Sequence, residues 1–265
     1  MADIRDHVRA RYGAIARQKG ARSCGCGSSD CCSAGSRKGG SVPNSRYSSA
    51  EMRDLPEAIA SPSLGCGNPH ALAALEPGQI VLDLGSGGGL DVLIAARRVA
   101  PGGKAYGLDM TPEMIDLARR NQRQAGVDNA EFILGDIEAI PLGNDSVDVI
   151  ISNCVINLAP DKDAVLREAY RVLRPSGRLA VSDTVFRGDV PVPDALRAQA
   201  DAWAACISGS LSERDYLTKL RNAGFTDCVV SVTQDYGAVG MDCCGDWPAG
   251  LSLASAQISA RKPLT

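Results

Sequence analysis

Three cysteines, Cys66, Cys154 and Cys206, stand far apart along the chain at places from which their sulfurs could converge. Cys66 lies in SLGCGNP, just before the first strand of an alternating strand–helix pattern. Cys154 lies in SNCVINL, directly after the largely apolar run Val147–Ile151. Cys206 lies in DAWAACISGSLSERDYL, a segment that can lid the crevice after a fifth strand. Three thiolates suit a soft, thiophilic centre. Acid–base chemistry, for which histidine is the commonest group, is poorly supplied by the two histidines: His7 is expected to be solvated on the first helix and His70 to make a local turn contact. Taken singly, each thiol also reads as a small buried hydrophobe. That bland reading is the stronger one for Cys206 alone and for Cys228 inside an apparent strand; only the set of three shifts it.

A second constellation surrounds the glycines of VLDLGSGGG. Glycine directly after a strand lets the backbone turn sharply and approach a ligand closely. A dinucleotide fingerprint would read G-x-G-x-x-G; here Asp83 precedes Gly85, Gly87 and Gly89 at alternating positions, which weakens NAD as the ligand. The pattern D-x-G-x-G-x-G resembles that of Rossmann-like S-adenosylmethionine methyltransferases. The resemblance implies that Asp109, ending the second strand, accepts both ribose hydroxyls, and that Met110 covers one adenine face. Asp136 would take the adenine amino group, and the backbone N–H of Ile137 would serve the ring nitrogen. Ser86 in the loop and Asn153 beside Cys154 complete the expected cofactor contacts. Each acid alone reads equally well as a helix cap; in order, each at a strand end, they point to one site.

The elements that must position these residues follow from periodicity. Ile4, Val8, Tyr12 and Ile15 predict a first helix over 3–19. The stretch from Gly20 to Ser45 is rich in Gly, Ser and Cys and cannot form a core. A short helix is expected over 49–60. Strands are expected at QIVLDLG, KAYGLDM, AEFILGD, SVDVIISN and GRLAVSDTV, the last after a turn RPSG. Helices are expected between them, one starting at Thr111-Pro112 and stopping at Gly126. Residues 190–222 read as helical, and FTDCVVSVTQ and LSLASAQISAR as a closing antiparallel pair. The fold class is therefore α/β: a doubly wound, mostly parallel, seven-stranded Rossmann-like sheet. Three regions are expected: a helix and Cys-rich extension over 1–60, the core over 61–188, and a lid with closing strands and a Cys-Cys loop over 189–265.

The 265 residues carry 45% hydrophobic and 22% charged residues and a net charge of −3. Scattered arginines with slight negative charge argue against nucleic acid as a partner. No apolar run approaches a membrane span, and the polar N-terminus lacks the apolar stretch of a signal peptide. The protein is expected to be cytoplasmic and monomeric. In a reducing compartment ten cysteines point to soft-metal or redox chemistry rather than a structural framework.

Over nearly its whole length the sequence resembles the arsenite S-adenosylmethionine methyltransferases, in SLGCGNP, VLDLGSGGG, DMTPEM, SNCVINLAPDK and EAYRVLRPSGRL. The resemblance implies that Cys66, Cys154 and Cys206 bind trivalent arsenic, and that arsenite and then methylarsenite are the substrates, in a detoxifying role. It further implies that Cys154 and Cys206 keep the methylated arsenic while Cys66 closes a disulfide with a thiol of the N-terminal loop, Cys32 first among them. Thioredoxin or glutathione would reopen it. Cys24, Cys26, Cys31 and Cys32 read alternatively as a zinc knuckle, though their spacing fits poorly. Cys243 and Cys244 read as an accessory arsenic pair or a half-buried loop. Leu64 replaces an aromatic residue that some relatives carry. Two other functions compete: carbon methylation of a quinone- or sterol-type substrate, and arsenic or metal sequestration without catalysis.

Overall fold

The computed structural model describes residues 4–17, 47–48, 51–52, 55, 67–188, 190–237 and 250–264. Cys24, Cys26, Cys31, Cys32, Cys66, Cys243 and Cys244 lie outside the described residues, as does most of the helix expected over 49–60.

Helix α1 (Ile4–Arg17) is followed by a short helix α2 (Pro69–Ala73), which Asn68 caps by accepting from the His70 N–H. The alternating core then runs β1 (Ile80–Leu84), α3 (Leu90–Val99), β2 (Lys104–Asp109), α4 (Pro112–Ala125), β3 (Ala130–Leu134), β4 (Val147–Asn153), α5 (Lys162–Val172) and β5 (Leu173–Arg187). Two short helices, α6 (Asp194–Arg197) and α7 (Ala200–Ala204), precede β6 (Leu211–Ser212), α8 (Glu213–Asn222), β7 (Thr226–Gly237) and β8 (Ser252–Arg261). The strands order as β3-β2-β1-β4-β5-β8-β7, with β6 beside the end of β5. Pairs from β3 to β5 are parallel, and β8 is antiparallel to both β5 and β7.

Both sheet faces are covered, which is why the central strands read as continuous apolar runs rather than alternating ones. In β4, Val147, Val149, Ile150 and Ile151 are all fully buried. On one face Val81, Val149 and Ile151 pack with Leu93, Ala96 and Val99 of α3; on the other Leu82, Ile150 and Leu179 pack with Val165, Leu166 and Ala169 of α5. Helix α4 begins at Pro112, whose missing N–H costs nothing there, and stops where Gly126 turns left-handed.

Two local expectations need correction, and one strand is added. The expected seven-stranded path is present, and among the described residues the two-residue β6 adds an eighth strand beside the end of β5. The stretch RPSG is not a free turn: β5 runs through it, and Ser176 and Gly177 exchange backbone hydrogen bonds with Lys262 just beyond β8. The helical reading of 190–222 breaks into three pieces: Gln199 is extended between α6 and α7, and the left-handed Cys206 and β6 separate α7 from α8.

Candidate active site

The strand order reverses between β1 and β4, and the place beyond the carboxyl ends of these strands is the usual ligand position in open α/β sheets. The N–H groups of Gly85 and Ser86 both bond to the Leu108 carbonyl, which turns the chain away from β1. Gly85 has φ +71°, and a side chain there would collide with Val155; Gly87, at φ +51°, faces open space. Its N–H donates to Asp109 Oδ2 at 2.9 Å, and the Thr111 N–H donates to Oδ1 at 2.8 Å. Asp109 thereby ties the glycine loop to the start of α4.

Burial, reinforced by Asp91 and Asp109, pushes the Asp83 carboxyl well above its ordinary range. Burial likewise raises Asp109, against the pull of the Thr111 and Gly87 N–H groups. The Ser86 hydroxyl is buried without a hydrogen-bond partner. Crowded carboxylates, an orphaned hydroxyl and an open glycine are what a hydroxyl-bearing cation such as S-adenosylmethionine would satisfy, so these residues fit that cofactor. The Gly135 N–H bonds to the Asp109 carbonyl, which brings Asp136 and Ile137 to the same edge. Met110 packs against the cluster formed by the thiols.

Cys154 follows β4 and Cys206 follows α7, yet they meet: Cys206 Sγ donates to the Cys154 carbonyl at 3.0 Å. Both are left-handed, with φ +59° and +61°, a costly conformation for a residue with a side chain. Val8, Leu158 and Ala204 bury them, with Tyr12, Met110 and Trp203 packed alongside, so α1 closes over the pair. Burial, and then the charge of Asp183, pushes the Cys206 thiol strongly up. Cys206 and Cys228 are free, whereas Cys154 is disulfide-bonded. Among the described residues no group of three His, Cys, Asp or Glu side chains could hold a metal ion. Gly67, which follows Cys66, is bonded to Asn153, which precedes Cys154: Asn153 Nδ2 donates to the Gly67 carbonyl at 2.8 Å, and the Gly67 N–H donates to Oδ1 at 3.3 Å.

A buried polar network underlies Cys206. The hydroxyls of Thr184 and Ser210 donate to its carbonyl at 2.6 and 2.7 Å. Asn157 Nδ2 donates to Asp183 Oδ1 at 2.7 Å, and the Asn157 N–H to Oδ2. Asp183 is fully buried, and burial raises its carboxyl to about 7, opposed by the N–H groups of Thr184 and Asn157 and by Lys162. Lys162, donating to the Ala159 carbonyl beneath the Trp203 ring, is itself lowered to about 8 by burial. Because the folded-state value of Asp183 lies above its ordinary 3.8, its contribution to stability is present below about pH 4 and is lost as pH rises through about 7. Asp183→Asn should therefore gain stability relative to the parent by up to a few kcal/mol between pH 4.5 and 8. Urea denaturation of both proteins across that range checks this; a pH-independent difference refutes it.

Sequence reasoning missed Asp183, although a charge inside the apolar run of GRLAVSDTV is a signal for a buried polar centre. It missed Tyr47 and Asp91 altogether. His70 makes the expected local contact through its backbone N–H to Asn68, while its ring is fully buried with Nε2 2.9 Å from Asp91 Oδ1.

Residues 75–224 match the family described as a methyltransferase domain. The chain is 41% identical to an arsenite methyltransferase of Halobacterium salinarum, over 98% of this chain and 67% of that protein. It is 42% identical to one from Aquipseudomonas alcaligenes, over 62% of this chain and 48% of that protein. The chain thus spans between about half and two thirds of the length of these relatives. The crystal structure of an arsenic(III) S-adenosylmethionine methyltransferase from Chlamydomonas reinhardtii superposes with a TM-score of 0.69 at 35% identity, covering 81% of this chain and 73% of that one.

Proposed function

The chain belongs to the arsenite methyltransferases, enzymes that methylate arsenic with S-adenosylmethionine, and from that premise we propose how its own residues carry the transfer. Trivalent arsenic is the substrate, held by the thiolates of Cys66, Cys154 and Cys206. The observation that carries this reading is the meeting of Cys154 and Cys206, 52 residues apart and both in strained backbone, beside Met110 at the ligand end of the sheet.

S-Adenosylmethionine would be held by Asp83, Gly85, Ser86, Gly87, Asp109, Met110, Asp136 and Ile137, with Asn153 nearby, and would supply an electrophilic methyl group. Three sulfur ligands leave arsenic a pyramid with its lone pair at the apex, and the thiols aim that apex at the carbon. The arsenic–carbon bond forms from the lone pair as the carbon–sulfonium bond breaks, so no proton is abstracted. Orientation is then the protein's main contribution, worth several kcal/mol of barrier. It accounts for rigid anchoring of Cys206 through its carbonyl and for the absence of any demand on histidine.

The transfer leaves arsenic two electrons short. Cys66 leaves arsenic and forms a disulfide with Cys32, returning those electrons, while Cys154 and Cys206 keep the methylated product. Thioredoxin or glutathione reopens the disulfide by thiolate attack. A Cys154 held in a disulfide must be opened in the same way before it can bind arsenic. A monomer contains all the residues this scheme requires.

Incubation with arsenite, methyl-labelled S-adenosylmethionine and a thiol reductant should yield labelled methylarsenite first and dimethylarsenite later. Cys66→Ser should abolish the first step and spare the second, which needs two thiolates. Lack of any labelled arsenic species, or equal loss of both steps in Cys66→Ser, would overturn the scheme.

A further inference from the structure

Asn153 has nearly exhausted its amide on the protein itself. Its Oδ1 accepts from the Gly67 N–H, one Nδ2 hydrogen goes to the Gly67 carbonyl, and the other goes to the Tyr47 hydroxyl at 3.2 Å. It thus engages both backbone groups of Gly67, as a neighbouring strand would, from 86 residues away. The Tyr47 hydroxyl in turn donates to Asp91 at 2.9 Å to Oδ1 and 3.1 Å to Oδ2. Tyr47 and Asp91 are both buried, and the fully buried His70 stands against Asp91 from α2. The row is directional: the amide donates to a phenol, which donates to a carboxylate. A buried polar chain of this kind is rigid when satisfied and costly when one member is removed.

Gly67 is held so closely that a side chain on it would lie 2.7 Å from Ser182 Oγ. The same Ser182 accepts, through its carbonyl, the N–H of Cys154 at 2.8 Å. Gly67 and Cys154 therefore sit against one residue of β5, and Asn153 joins them from the end of β4.

We propose that Tyr47 and Asp91 are positioning residues for the transfer: by fixing the Asn153 amide they fix Gly67, the residue covalently next to Cys66. The proposal rests on the assignment of Cys66 to the arsenic site. Asn153 is accordingly a brace between two sulfur-bearing segments. A brace on Gly67 matters for the step that uses three sulfurs and not for the step that uses two.

Tyr47→Phe keeps the ring and removes the hydroxyl. It should slow arsenite methylation about tenfold, the scale of a lost hydrogen bond to a charged group, and leave methylarsenite methylation within about twofold of the parent. Asp91→Asn should shift the ratio of the two rates in the same direction, and it serves as the reading if Tyr47→Phe is poorly folded. A merely structural role would lower both rates together, and either that outcome or an unchanged ratio in both variants overturns the proposal. Cys66→Ser, run alongside, separates the two levels. If Cys66→Ser shows the selective loss and Tyr47→Phe does not, the brace is wrong; if Cys66→Ser lacks it, the assignment of Cys66 is wrong.

Discussion

Cys206→Ser is expected to reduce arsenite methylation at least about a hundredfold, beyond the 10–100-fold typical of losing a residue that merely supports a metal ligand. The substitution is nearly isosteric, and a serine hydroxyl can still donate to the Cys154 carbonyl that the thiol now meets at 3.0 Å. The anchoring of residue 206 by Thr184 and Ser210 acts through its carbonyl and is untouched. Stability should therefore change little, while a hard oxygen replaces a soft sulfur at a thiophilic centre. Speciation of arsenic products in parent and variant measures the effect. A rate within twofold of the parent would remove Cys206 from the site and favour an acceptor of the quinone or sterol type, which has no use for the thiol.

Asp109→Ala should raise the dissociation constant of S-adenosylmethionine about 30- to 100-fold. A carboxylate has four lone-pair sites, and the Gly87 and Thr111 N–H groups and the Thr111 side chain engage some of them. The others remain for ribose hydroxyls, in charge-assisted bonds of the stronger kind. Removing the carboxylate also frees the Gly87 N–H and with it the loop. Arsenite affinity should not change, because the carboxylate is spent on the glycine loop and the start of α4. Calorimetry with each ligand separately distinguishes the two outcomes, and an unchanged cofactor constant would take Asp109 out of the site.

Much of the fold was legible in local pattern. Pro112 and Gly126 mark both ends of α4, and the apolar runs of β1, β4 and β5 announce strands buried on two faces. What escaped was set by partners distant in the chain. RPSG has the composition of a turn, but Lys262 supplies it with strand-like hydrogen bonds. The break at Cys206 follows from Thr184, Ser210 and Trp203 gripping that turn, which no helical periodicity reveals. In the site, Cys154 could be read because it ends a strand. The partner of its neighbour Asn153 could not, because Gly67 and Tyr47 are 86 and 106 residues away.

The left-handed backbone at Cys154 and Cys206 bears on how such an enzyme can be improved. Both positions have torsions that glycine adopts without penalty, so backbone strain alone gives no reason to keep a sulfur at either. A library screened for thermal endurance alone places no value on the two thiols, and descendants that lost them would be inert. Any campaign toward a hardier catalyst has to select for turnover from its first round.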